Sequence, residues 1–333
     1  MIRDLGQPVS AVHICEDASL IAGGWDGELK KWDHEGQLLW AVQCEDRIES
    51  ILPIENLIIV TSGLHVTCVS QGEILWSNPL EGSADLLANS GDQIIATSSV
   101  YDIEHGDFME SAVWLFSLTG ELNSVERMDE KPWFIESNNQ LIIGLGRPKC
   151  GLLIDGKHHD LKIDSPVTCG VSGHDQILIG HADGTISLVS GEKISEEKSS
   201  VESLSCNIAG FAAALETGHL VTRDYSGSET WHSDGEPVTT HTFSFNDLHW
   251  CGRSKSAIGI IEVRDQNGAI VTTAEVSKPR VSTAAFDRVA FGFEDGQLLV
   301  WEKDLFERRL KEKSSDSGGR KSALAAKLRA LRE

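Results

Sequence analysis

The chain has 333 residues, of which 40% are hydrophobic and 24% charged, so it can fold and bury a sizeable core. Its formal net charge of −22 argues against non-specific nucleic-acid binding by the bulk of the molecule, because phosphate would be repelled. No run of about 18 apolar residues occurs, so no membrane-spanning helix is expected.

The chain reads as a series of similar units. In the first, Leu20–Gly23 and Glu28–Trp32 flank Asp26-Gly27, His34-Glu35-Gly36 follows, and Trp40 stands four residues after Gly36. Strand-like runs on either side of Asp-Gly are a strong hairpin signal, because glycine reaches positive φ at no steric cost. The second unit repeats the spacing with Gly63, Gly72 and Trp76. The third runs to Gly120 and holds an insertion of about twelve residues around Val100–Glu110, expected as a long loop. The fourth contains Gly144-Leu145-Gly146-Arg147 and Gly156. In the fifth, Ile177–Gly180 and Thr185–Val189 flank Asp183-Gly184, with Gly191 beyond. Gly218, Gly227 and Trp231 mark the sixth, and Gly268 the seventh. The eighth has Val289–Gly292 and Gln297–Trp301 around Asp295-Gly296, but stops without the second glycine.

That second glycine (36, 72, 120, 156, 191, 227, 268) recurs at intervals of 36, 48, 36, 35, 36 and 41 residues. Each unit supplies four short strands and cannot bury both faces of its sheet alone. Radial stacking of such sheets solves the problem and protects their edges. The expected fold is therefore all-β, a closed β-propeller of about eight four-stranded blades over residues 1–303, with seven blades the alternative. Residues 1–7 are expected to supply the outer strand that the last blade lacks.

Two family resemblances sit on these residues. Ala22-Gly23-Gly24-Trp25-Asp26-Gly27-Glu28-Leu29-Lys30-Lys31-Trp32-Asp33 resembles the end of a WD40 repeat, and so does Phe291–Glu302. The Gly-x-x-x-Trp ending at Trp40, Trp76 and Trp231 is similar to the repeat of pyrroloquinoline-quinone-type propellers. Together they cover roughly residues 1–303. WD40 rings most often have seven blades and quinone-type rings often eight. The Gly-His pair that opens many WD40 repeats is missing from the expected starts, since Gly173-His174 and Gly180-His181 fall elsewhere in the unit. The resemblance implies that the loops between second and third strands share one rim, the usual ligand face.

On that rim the expected partner-binding residues are Trp25, Tyr101, Phe108, Met109, Arg147, Lys149, Arg253 and Lys255, because tryptophan, tyrosine and arginine are typical interface anchors. Beyond Trp301 the composition changes. Residues 304–333 hold nine Lys/Arg and five Asp/Glu, against 20 and 46 in the rest. Asp304 with Glu307 suits a capped helix start, and Glu307 with Lys311 an i,i+4 pair. Residues 314–319 read as a Ser/Gly linker. From Lys321, the leucines 324, 328 and 331 fall on one helical face. Arg308, Arg309, Lys321, Leu324, Leu328 and Leu331 are thus expected to form a second, helical binding element.

No catalytic motif is present among the common nucleotide, hydrolase and metalloprotease patterns. His158 and His159 are adjacent and would point to opposite faces of a strand, so a shared metal with His174 and His181 is not expected. Neither catalytic residues nor a cofactor is assigned. The seven cysteines, 15, 44, 68, 150, 169, 206 and 251, are scattered and form no CxxC, which suits a reducing compartment. The N-terminus lacks the charged-then-apolar run of a secretory signal, so a cytoplasmic location is expected. The expected function is a non-catalytic scaffold that assembles a multi-protein complex through rim loops and tail, monomeric as an isolated chain and not membrane-bound. The alternatives are an RNA-associated assembly factor acting through the tail and an enzyme with an unrecognised site in the central channel.

Overall fold

The computed structural model describes residues 1–173 and 175–312. His174, the linker at 314–319 and Lys321, Leu324, Leu328 and Leu331 lie outside the described residues.

Burial is graded from strand to strand. Leu20–Gly24 and Gly210–Leu215 are buried at every position, and small or β-branched residues dominate them. Outermost strands such as Leu38–Gln43 alternate between exposed and half-buried positions. The first pattern belongs to strands covered on both faces, the second to strands at the edge of a stack.

Among the described residues the strands form eight four-stranded antiparallel sheets. Blade one comprises Val9–Ile14, Leu20–Gly24, Glu28–Trp32 and Leu38–Gln43. The innermost strands of blades two to eight are Ile48–Ile54, Ser83–Ser90, Pro132–Ser137, Val167–Ser172, Val201–Cys206, Val238–Phe243 and Pro279–Ala285. Each lies against the next, and that of blade eight against that of blade one, so the ring closes. The apolar core sits between blades rather than at the axis. One cluster joins Ile59 and Cys68 of blade two to Ile94, Trp114 and Phe116 of blade three.

Blade eight draws on both ends of the chain. Its outer strand is Ile2–Asp4, paired as Ile2↔Leu299, Arg3↔Leu298 and Asp4↔Gln297. Leu5 is fully buried among Val9, Ala22, Trp32 and Leu298.

The recurrent glycine and tryptophan meet across blade boundaries. A Cβ on Gly72, Gly120 or Gly268 would lie 2.8, 2.7 or 2.7 Å from Trp40, Trp76 or Trp231 of the preceding blade. Trp76 also donates from Nε1 to the Leu118 carbonyl at 3.1 Å. The glycine therefore both turns the chain at positive φ and leaves room for the neighbouring indole. At Gly36 the same position is filled by the Arg3 guanidinium, from the outer strand of blade eight.

The insertion of blade three is a correction to the expected loop. Gln93–Asp102 and Asp107–Ser117 continue as paired strands, with Val100↔Glu110, Tyr101↔Phe108 and Asp102↔Asp107 in register. Valine, tyrosine and phenylalanine favour strands and pair well across them, so the extra length projects as a hairpin. After the last strand a helix covers residues 303–312, which places Asp304 inside the first turn rather than ahead of it. Phe306 is buried against Phe245 and Trp250, with ring centroids 5.8 and 5.1 Å apart. No helix among the described residues is long and apolar enough to cross a membrane.

Candidate functional site

An up-and-down blade presents two rims. The first carries the turns between second and third strands together with the connections from blade to blade. The second carries the turns between first and second and between third and fourth strands. Trp25, the blade-three hairpin tip, Arg147–Lys149 and Lys255 are all on the first rim.

The hairpin forms the densest exposed feature there. Tyr101 packs edge-on to Phe108 at 5.2 Å, and Phe108 packs edge-on to Trp133 at 5.9 Å. Lys131 Nζ lies 3.6 Å from the Phe108 ring centre and 4.6 Å from that of Trp133. Its ammonium also lies 3.5 Å from Asp85 Oδ1, while Asp85 Oδ2 accepts a 2.6 Å bond from Ser99 Oγ. Burial raises the Asp85 pKa and the Lys131 charge opposes that shift. A cation so placed holds two rings and a half-buried carboxylate together, which fixes the hairpin base. Around this base Val100, Tyr101, Met109 and Trp133 remain exposed, and Ile103 at the tip is 87% exposed. Arg127 grips Glu81 with two bonds of 2.7 and 2.6 Å at the same flank.

Trp25 forms a second centre. Arg47 and Arg280, at the first-rim ends of the innermost strands of blades two and eight, both stack on its ring, with Cζ 4.3 and 4.4 Å from the centroid. Arg47 pairs with Glu49 at 3.0 Å, and Arg280 pairs with Glu294.

The other expected residues fare differently. Arg147 is exposed, and Lys149 reaches buried Glu130 at 4.0 Å on the wall of a small cleft shared with Arg127. Lys255 is exposed. Arg253, expected on the rim, is only 4% exposed. Its guanidinium donates to the Gly218 and Glu236 carbonyls at 2.6 and 2.7 Å and to Ser233 Oγ at 3.0 Å. It satisfies turn carbonyls between blades six and seven and is unavailable to a partner. Arg308 and Arg309 are exposed on the helix after blade eight.

The sequence reading missed Trp133, Lys131, Arg47 and Arg280. A tryptophan beside a proline at the start of an innermost strand, where the repeat requires none, was the available signal. The two arginines have no sequence pattern linking them to Trp25.

Among the described residues no group of three or more His, Cys, Asp or Glu side chains could hold a metal ion. His158 Nε2 lies 2.9 Å from the Cys150 carbonyl, and His181 is buried with Nε2 3.0 Å from Ser187 Oγ. His174, the remaining member of the set considered from sequence, lies outside the described residues.

Neither a protein-family model nor a curated protein matches the chain. Solved structures do. A computationally designed protein, Ika8, aligns with a TM-score of 0.71 at 19% identity, covering 90% of this chain and 98% of that one. Sqt1 of Saccharomyces cerevisiae aligns with a TM-score of 0.72 at 12% identity, covering 90% and 97%. BamB from Moraxella catarrhalis gives 0.71 at 12% identity, covering 91% and 98%. At such identities the likeness is one of fold, and with the closed ring of eight sheets it makes this chain a β-propeller built from repeats.

Proposed function

We propose that the protein is a non-catalytic scaffold that binds another protein through the first rim, with the Tyr101–Phe108–Trp133 cluster as its anchor. The observation that carries this reading is an exposed aromatic and aliphatic patch, from Val100 to Met109 plus Trp133, on a hairpin fastened by Lys131 to the half-buried Asp85 carboxylate. A large apolar group held rigid in water loses little entropy on binding and gains its full burial. Asp102, Glu104, Asp107 and Glu110 border the patch, so the complementary partner presents an apolar knob flanked by Lys or Arg. The inter-blade Trp–Gly packing supports a repeat closer to the quinone-type than to the WD40 type. The seven unpaired cysteines suit a cytoplasmic site of action.

Affinity purification from native extract, with the wild type beside Tyr101→Ser/Met109→Ser and Trp133→Ala, tests the proposal. The variants are expected to lose the main partner while melting like the wild type, and Lys255→Ala is expected to keep it. An unchanged set of partners in the folded variants rules out the hairpin as the anchor.

A further inference from the structure

We propose that residues 321–333 of this chain dock into a groove on the second rim, between blades one and two, and cover it in the isolated molecule. The proposal concerns the rim opposite the hairpin and does not depend on the partner surface.

The groove has a volume of about 1020 Å³. Leu39 and Trp40 of blade one and Ile51, Leu52 and Pro53 of blade two give it an apolar lining. Glu16, Asp17 and Glu55 stand at its edges, with Lys31 as the one lysine or arginine in the lining. Phe286, from blade eight, also lines it. It is 65% exposed and has a φ of 53°. A bulky residue in the left-handed region is strained, and here it leaves an aromatic ring largely exposed beside an apolar cleft.

Three observations name the occupant. First, the described chain ends on the same rim. Phe306 packs on Phe245, and Asn246 Nδ2 donates to Glu307 Oε1 at 2.8 Å. Both partners lie in the turn between the first two strands of blade seven. Ala285–Phe286 belongs to the corresponding turn one blade further on. Arg288 continues the seam, donating to the Ala18 carbonyl at 2.6 Å and the His34 carbonyl at 2.9 Å of blade one. Second, the length fits. The eight residues between Glu312 and Lys321 can span up to about 27 Å, and neighbouring sheets stack about 10 Å apart. Third, the chemistry fits. Residues 313–333 hold six Lys/Arg and two Asp/Glu, opposite in sign to the groove edges. Leu324, Leu328 and Leu331 would make one apolar stripe on a helix, with Lys327, Arg329 and Arg332 between them to meet the edge carboxylates. A helix of that length is marginal alone in water, so it needs such a surface.

Hydrogen exchange read by mass spectrometry on the full chain, at neutral pH and low salt, tests the docking. Amides of 321–333 are expected to exchange at least tenfold more slowly in the wild type than in Leu324→Asp/Leu328→Asp. Protection is likewise expected to vanish in Glu16→Lys/Glu55→Lys, whose substitutions are on exposed turns and leave the ring's melting temperature unchanged. It should not vary with protein concentration. Equal exchange in wild type and the leucine variant overturns the proposal. So does protection that survives the charge reversal, that grows with concentration as for a second copy, or that arises only when RNA or a partner protein is added.

Discussion

Closure of the ring through blade eight gives a prediction that separates side-chain burial from strand pairing. Leu5 and Ile2 lie on the same terminal segment, yet Leu5 is 0% exposed and Ile2 68%. Both remain tied to the last strand by backbone bonds, with Leu5 N donating to the Gly296 carbonyl at 2.9 Å and Val300 N to the Met1 carbonyl at 2.8 Å. Neither substitution to alanine removes those bonds. Leu5→Ala deletes a buried side chain from the cluster of Val9, Trp32, Ala290 and Leu298. The lost transfer free energy plus the cavity left behind amounts to about 3 kcal/mol. For a chain of this size that lowers the melting temperature by roughly 5 °C. Ile2→Ala removes mostly hydrated surface and stays within about 0.5 kcal/mol. Urea unfolding followed by tryptophan fluorescence, with calorimetric melting in parallel, reads both. A Leu5→Ala cost under about 1 kcal/mol, or an Ile2→Ala cost as large as that of Leu5→Ala, would refute the view that this segment closes the ring through buried packing.

Three further outcomes are expected. Gly120→Ala places a methyl 2.7 Å from the Trp76 ring at a φ of 85° and should cost about 2–4 kcal/mol, whereas Gly91→Ala, with a φ of 57° and open space, should cost about 1; chemical denaturation compares them directly. Arg253→Ala strips donors from the Gly218 and Glu236 carbonyls and should destabilise by about 3 kcal/mol, against about zero for Lys255→Ala in the same assay. Burial lowers the pKa of His241 from 6.5 to about 4, with Ser203 opposing and Arg253 adding to the shift. The unfolded chain therefore binds a proton that the fold excludes, so this contribution is complete above pH 6.5 and is lost as pH falls toward 4. Replacing His241 by Gln should flatten the fall in unfolding free energy across that window by up to about 3 kcal/mol; an unchanged slope would show that His241 titrates normally in the fold.

What the sequence by itself determined is the repeat and hence the architecture. Asp-Gly turns and a glycine at a near-constant interval are local signals, because positive φ and strand alternation are properties of a few adjacent residues. They were sufficient for a ring of about eight four-stranded sheets, with seven the alternative, and ring closure in space fixed the number at eight. The Gly-x-x-x-Trp spacing was equally visible, but its reason was not: each indole packs on the glycine of the following blade, and blade order in space is not written within one repeat. The same limit explains the errors at the rim. Arg253 and Lys255 stand two residues apart on one turn, and only the neighbouring blade's carbonyls decide that one is buried and the other free. The Val100–Glu110 insertion could be counted but not shaped, since a strand becomes visible only when its partner is in register. Lys131 and Trp133, at the start of blade four, meet Phe108 of blade three, and Trp25 meets arginines from blades two and eight, far apart along the chain. Surfaces of this kind are assembled by ring closure, which brings together residues that have no relation along the sequence.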